Sequence, residues 1–250
     1  MAELKYTSLG ALLADANLKA YYRMESGALT TDSSGNSKTL TNVGTVADGT
    51  GNFGGAANFG AANSSKLLKI LENLSYEGGA YSISFWVKLN AEIASGSWRF
   101  VEITENTTKT QIIVQYNYNG GTRHLYFDRS KSSIIDQSFT YNVTLGTSNW
   151  NHIVFVFNGS NLLTGYLNGS SIGSVAITAG SGSGTISDAL AIGANVDGAV
   201  YSSCLIDDVG CFNRELTSGE VTALYNDQAA TTNYLTNYRP RKRVPSAISI

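Results

Sequence analysis

The sequence predicts an all-β fold built from packed antiparallel sheets, and three observations carry that reading. Only 14% of the 250 residues are charged, while 26 are Gly and 14 are Tyr, a balance of strand formers and turn residues. Apolar and polar side chains alternate at period two over several segments, the spacing of a strand with one buried face. Asn-Gly pairs recur between these segments, as tight hairpins require.

In chain order, Leu9, Leu12, Leu13 and Ala16 have helix spacing over residues 9–17, although Gly10 weakens it. Tyr81, Ile83, Phe85, Val87 and Leu89 alternate with Ser82, Ser84, Trp86 and Lys88, predicting a strand with its even residues outward. The run QIIVQYNYNGGTRHLYF, residues 111–127, sets an Asn-Gly-Gly turn between two strands. Two further turns, Asn158-Gly159 and Asn168-Gly169, divide residues 151–174 into successive hairpins. A Gly/Ser-rich stretch then feeds a short strand, Ala189 to Ile192. The acidic-apolar run SCLIDDVGCF, 203–212, reads as a closing strand. After it Thr217 and Glu220 form a capping box for a helix whose apolar stripe is Val221, Leu224 and Tyr225.

Nothing in composition divides the body, so residues 1–227 are expected to form one domain and 228–250 a polar-to-basic extension. Arg239, Arg241, Lys242 and Arg243 lie in that extension. Residues 1–238 hold 13 basic against 19 acidic side chains, so the body repels nucleic acid and the tail is a short basic arm suited to an acidic partner surface. No run of 18 apolar residues is present to span a membrane. The first residues lack the basic head and long apolar stretch of a secretory signal, so export by that route is not expected.

Cys204 and Cys211 are the only cysteines. On one extended strand they would lie roughly 23 Å apart on opposite faces, too far for a disulfide. Both read as small core residues.

The ordered pieces LKAYYRME (18–25), DSSGN (32–36), FGGAANF (53–59), YSISFWVKL (81–89), NWNHIVFVFNGSNLLTGYLNGSSIG (149–173), LAIGAN (190–195) and LIDDVGCFNRELTSGEVTALYND (205–227) resemble the laminin-G-like domains of the concanavalin A-like lectin/glucanase superfamily. That resemblance implies a two-sheet antiparallel jelly-roll sandwich with one or two short helices and a C-terminal extension. The closing strand and its helix would lie beside the first strand. Its members include glycan-binding modules, adhesion modules, virion proteins and some hydrolases, so the fold leaves the chemistry open.

Hydrolases of this superfamily carry alternating acids on one strand, because a retaining mechanism needs two carboxyls about 5 Å apart. No such run occurs here. Glu102 and Glu105 are an odd number apart, and Asp207 and Asp208, as neighbours on an extended strand, point opposite ways. His124 and His152 are the only histidines, and neither lies in a nucleophile motif. The expectation is a protein that works without catalysis.

One of the two adjacent acids must start from an apolar neighbourhood and therefore needs a partner, either Arg23 on the first strand or a cation. The resemblance implies a structural calcium held by Asp32 and Asn36 from the DSSGN loop and by Asp207 or Asp208 from the closing strand, an oxygen set suited to that ion. The alternative makes Asp32 and Asn36 ordinary turn residues. For a glycan or another surface ligand, the 111–127 hairpin offers Tyr116, Asn117, Tyr118, Arg123 and His124, aromatic faces beside amides and charges. Tyr116 and Tyr118 are also in phase with Ile112 and Val114, which would place them in the core. Trp98 and Tyr201 are further aromatic candidates. Two functions follow: a glycan- or surface-binding module, or a structural component of a virion, such as a phage tail or capsid attachment, whose tail engages other particle proteins. In either case the expected location is a virion or a surface-displayed assembly.

Overall fold

The computed structural model describes residues 14–62, 64–74, 79–105, 110–131, 134–177 and 188–230. Its first strands are β1 (Leu18–Tyr22), β2 (Thr41–Val43), β3 (Ala47–Thr50), β4 (Gly55–Asn58) and β5 (Leu67–Ile70). Then come β6 (Tyr81–Leu89), β7 (Gly96–Glu105), β8 (Thr110–Asn119), β9 (Thr122–Lys131) and β10 (Ile134–Asn142). The last are β11 (Asn151–Phe157), β12 (Leu162–Leu167), β13 (Ser170–Ala176), β14 (Ala189–Ile192) and β15 (Cys204–Phe212), followed by one helix, α1 (Ser218–Ala230).

Two antiparallel sheets stack face to face. One has the order β13-β12-β11-β6-β15-β4-β3, with β1 also paired to β15, and the other β10-β9-β8-β7-β14-β5-β2. β15 is central because its two halves have different neighbours on one side: Leu205 and Ile206 pair with β4, whereas Val209 to Phe212 pair with β1. The closing strand thus lies beside the first, as the resemblance implies.

The predicted phase of β6 holds. Tyr81, Ile83, Phe85, Val87 and Leu89 belong to the core between the sheets. Aromatic rings bridge the layers there: Phe85 meets Phe100 of β7 at 6.1 Å, and Phe127 of β9 meets Phe155 of β11 at the same distance. Full burial of each such ring stabilises the fold by about 1.5–3 kcal/mol. The hairpins form where Asn-Gly demands them: Asn168 and Gly169 have φ of 50° and 78°, as a two-residue turn needs.

On the other face of the first sheet, α1 covers a second apolar cluster made of Leu18, Tyr21, Val154, Val156, Tyr166 and Phe212 with Leu216, Val221 and Leu224. The capping box is formed: the Thr217 N–H donates to Glu220 Oε2 at 2.9 Å, and the Glu220 N–H donates to Thr217 Oγ1 at 3.2 Å. Of the helix expected at 9–17, residues 9–13 lie outside the described residues, and 14–17 lead into β1 through a turn.

One expectation fails at β15. Ile206 and Val209 both enter the core, as do Cys204 and Cys211, although each pair is an odd number apart. A bulge between Asp207 and Gly210 in the pairing with β6 inserts an extra residue, and Asp208 takes a φ of 49° there. The bulge shifts the strand's phase by one residue. Both cysteines therefore share the core face without a disulfide bond, and both acids are left on the outer side.

Candidate functional site

The outer face of the first sheet carries a cleft of about 620 Å³ beside α1. Asn52, Phe53, Trp86, Ser148, Asn149, Trp150, Asn151, Asn168 and Tyr225 line it. Its floor is Trp86, outward on β6 by the same alternation that sends Phe85 and Val87 inward. The Trp86 ring stacks on Tyr225 of α1 at 5.6 Å, tilts against His152 of β11 at 5.0 Å and receives the edge of Phe53 at 5.6 Å. With three rings around it, Trp86 is nearly buried, while Trp150 and Tyr225 stay half-exposed at the rim.

The amides are held by the strand ends. Asn168, at the hairpin turn between β12 and β13, accepts the His152 N–H through Oδ1 at 2.8 Å. Asn151 Nδ2 donates to the Asn149 carbonyl at 3.3 Å. Gly169 lets α1 approach, since a Cβ there would stand 3.0 Å from the Tyr225 ring. Ser148 and Asn149 are exposed.

The wall at Asn52 and Phe53 depends on Asp207. Its Oδ2 accepts the backbone N–H groups of Asn52 at 2.9 Å and Phe53 at 3.1 Å, and Asp207 is opposite Trp86 in the sheet. Asp207 is fully buried, and its Oδ1 has no hydrogen-bond partner. Burial, reinforced by the charge of Asp208, pushes its carboxyl far above the usual range. Asp208 accepts the Tyr21 hydroxyl at 2.6 Å. Burial raises its pKa too, and the Tyr21 bond and the Arg23 charge offset this only in part. Asp207 and Asp208 are thus not back to back, as neighbours on a regular strand would be. They are nonetheless buried acids beneath turns, not a pair facing an open bond.

His152 is fully buried. Its Nε2 meets Ser84 Oγ at 2.8 Å, its Nδ1 has no partner, and burial lowers its pKa to about 3. A Ser-His pair with no acid on Nδ1, sealed under Trp86 and Tyr225, lacks both the orienting group and the access that nucleophilic catalysis requires.

The four residues expected around calcium are tied otherwise. Asp32 accepts the N–H groups of Tyr21, Ser34 and Lys38 and the Ser34 hydroxyl, all at 2.9–3.0 Å. Burial opposes its ionisation, but these donors together hold its carboxyl below the usual range. Asn36 turns its Nδ2 to the carbonyls of Leu18 and Lys19. Both therefore tie the 32–38 loop to β1, the turn-residue alternative. The Asp32 oxygens are thus already occupied by four donors, a poor fit to a cation at that residue, and among the described residues no group of three or more His, Cys, Asp or Glu is placed to hold a metal.

The hairpin set is divided between two faces. Tyr116 is fully buried in the core, where its hydroxyl accepts the Leu145 N–H at 2.9 Å, so it offers no face to a ligand. Tyr118 and Arg123 pair across β8 and β9 on that same side, the guanidinium 5.2 Å above the ring and ion-paired with Glu92. Asn117 and His124, paired one residue along, take the opposite face. Trp98 enters the core and Tyr201 packs on a small cluster around Ala191. Arg239, Arg241, Lys242 and Arg243 lie outside the described residues. Among those described, no helix is long and apolar enough to cross a membrane. Sequence reasoning missed the cleft, although one signal was present: Trp86 is a large aromatic on the polar phase of its strand.

Two curved antiparallel sheets closed by β15 and α1, with an aromatic cleft on one outer face, define a jelly-roll sandwich. The chain belongs to the concanavalin A-like lectin/glucanases superfamily, whose laminin-G-type family model matches residues 59–222. A comparison with curated proteins finds no match. Among solved structures it is similar to the binding domain of botulinum neurotoxin DC in complex with rat synaptotagmin II (TM-score 0.67, 16% identity, 85% of this chain and 52% of that one). It is also similar to a botulinum neurotoxin type C structure described as dependent on two ganglioside molecules for cell entry (0.65, 16%, 85% and 52%). A third is the binding domain of Paraclostridial Mosquitocidal Protein 1 (0.61, 21%, 84% and 52%). The chain spans about half the length of these domains, and the likeness is one of fold.

Proposed function

We propose that this chain is a non-catalytic binding module that holds a glycan, free or displayed on a surface, in the cleft over Trp86. The observation that carries the reading is the lining: half-exposed aromatic rings, Trp150 and Tyr225, beside the amides of Asn52, Asn149, Asn151 and Asn168. Sugar rings present an apolar side that stacks on an aromatic face and a rim of hydroxyls that bond to amides, and a concave site favours both. Similarity to binding domains of toxins, one of them described with gangliosides, supports the same class. On this reading the 32–38 loop is held by its own hydrogen bonds, so thermal unfolding curves with and without chelator are expected to superimpose, and a lower midpoint in chelator would restore the calcium set of Asp32, Asn36 and Asp207 or Asp208.

The test is a glycan array followed by titration calorimetry. Trp150→Ala should weaken binding about tenfold, the value of a lost stacking contact of ~1.4 kcal/mol. Asn149→Ala, at an exposed position that leaves folding untouched, should weaken it by a smaller factor. Full affinity in both variants would remove the cleft from the account.

A further inference from the structure

We infer that the cleft selects uncharged saccharides and rejects acidic ones, an inference that rests on the glycan reading of the same site. Among the described residues, the nine that line the cleft include no Asp, Glu, Lys, Arg or His. The ionisable groups nearest the floor are sealed behind it: His152 and Asp207 are fully buried, and burial disfavours the charged form of each.

Among the described residues, three cations of this side of the sandwich, Arg214, Arg23 and Lys88, are engaged elsewhere or stand outside the lining. Arg214 is ion-paired with Asp15 and Glu220, and Arg23 with Glu25. Lys88 shares the outward phase of Trp86 two residues along β6 but is not part of the lining. A sugar carboxylate or sulfate entering the cleft would give up hydration without meeting a cation among the described lining residues, which is how a site rejects an isosteric charged ligand. The excess of acids over bases in residues 1–238 works in the same direction at longer range. A neutral saccharide meets no such penalty, because amides and the Ser148 hydroxyl both donate and accept.

The experiment titrates the whole chain with neutral oligosaccharides and with the same cores bearing sialic acid, uronate or sulfate, at low and high salt. Neutral members should bind, with affinity insensitive to salt and reduced by Trp150→Ala, and acidic members should bind at least about tenfold more weakly. Asn149→Lys, which sets a cation on the rim at an exposed position, should bring the acidic members back and make their binding salt-dependent. Acidic members binding as tightly as neutral ones to the unaltered chain, with the same loss in Trp150→Ala, would overturn the selectivity and leave the glycan reading in place. Binding of neither class would overturn both.

Discussion

Asp207 and His152 show how single buried groups set the shape of the cleft without facing its contents. Asp207→Ala removes the acceptor for two backbone N–H groups in the wall and should cost about 1–3 kcal/mol. Asp207→Asn keeps an acceptor oxygen and removes only a charge that burial disfavours, so it should cost less, as denaturant unfolding of both variants would show. The pH dependence has a definite sign. With its folded pKa raised, Asp207 contributes stability that is complete below the ordinary carboxylate value of 3.8 and is lost as pH rises from there towards the folded value, so Asp207→Asn should make the decline over that window shallower. His152 has the opposite sign: its folded pKa is depressed to about 3 from 6.5, so its contribution is present above 6.5 and is lost as pH falls towards 3. His152→Gln should flatten stability across that acid window, measured by unfolding at a series of pH values. That His152 stands in no nucleophile motif was legible in the sequence. The loss of its charge was not, because desolvation depends on the Trp86 and Tyr225 rings that arrive from β6 and α1.

At the scale of elements, α1 links stability to the site. The capping box of Thr217 and Glu220 orders the first turn, and Arg214 joins Glu220 to Asp15 before β1. These bonds hold Glu220 ionised against its burial. Thr217→Ala should cost about 1 kcal/mol. Because Tyr225 lies two turns along the same helix, the variant should also weaken glycan binding, a loss that calorimetry would separate from unfolding at temperatures well below the midpoint. The box, the apolar stripe and the Asn168-Gly169 turn could all be read from local sequence, because capping, helix period and positive φ are properties of a few adjacent residues. The bulge in β15 could not. It arises where β15 changes neighbours from β4 to β1 while keeping β6 on its other side, so it depends on strands far away in the chain. One inserted residue then reverses the facing of every side chain beyond it, which moved Asp208 outward and brought Cys211 to the same core face as Cys204.

For the whole molecule, the core makes a direct prediction about its thiols. Cys204 and Cys211 are fully buried and not disulfide-bonded, and burial raises the Cys204 thiol well above its ordinary value. Neither should react with a thiol reagent in the folded protein, and both should react after denaturation. Labelling of either under native conditions would show that the sandwich opens around β15. The all-β class, the hairpins, the closing strand and the capped helix were determined by the sequence itself, since period, turn chemistry and caps are written in short segments. The site was decided by tertiary structure alone. Asn52, Trp86, Asn149, Asn168 and Tyr225 come from five separated segments, and only the stacking of α1 on the outer face of one sheet brings their aromatic and amide groups around one cleft. The hairpin residues that looked like a binding set locally were split by the same physics: alternate side chains of a strand face opposite ways, and here one way is the core.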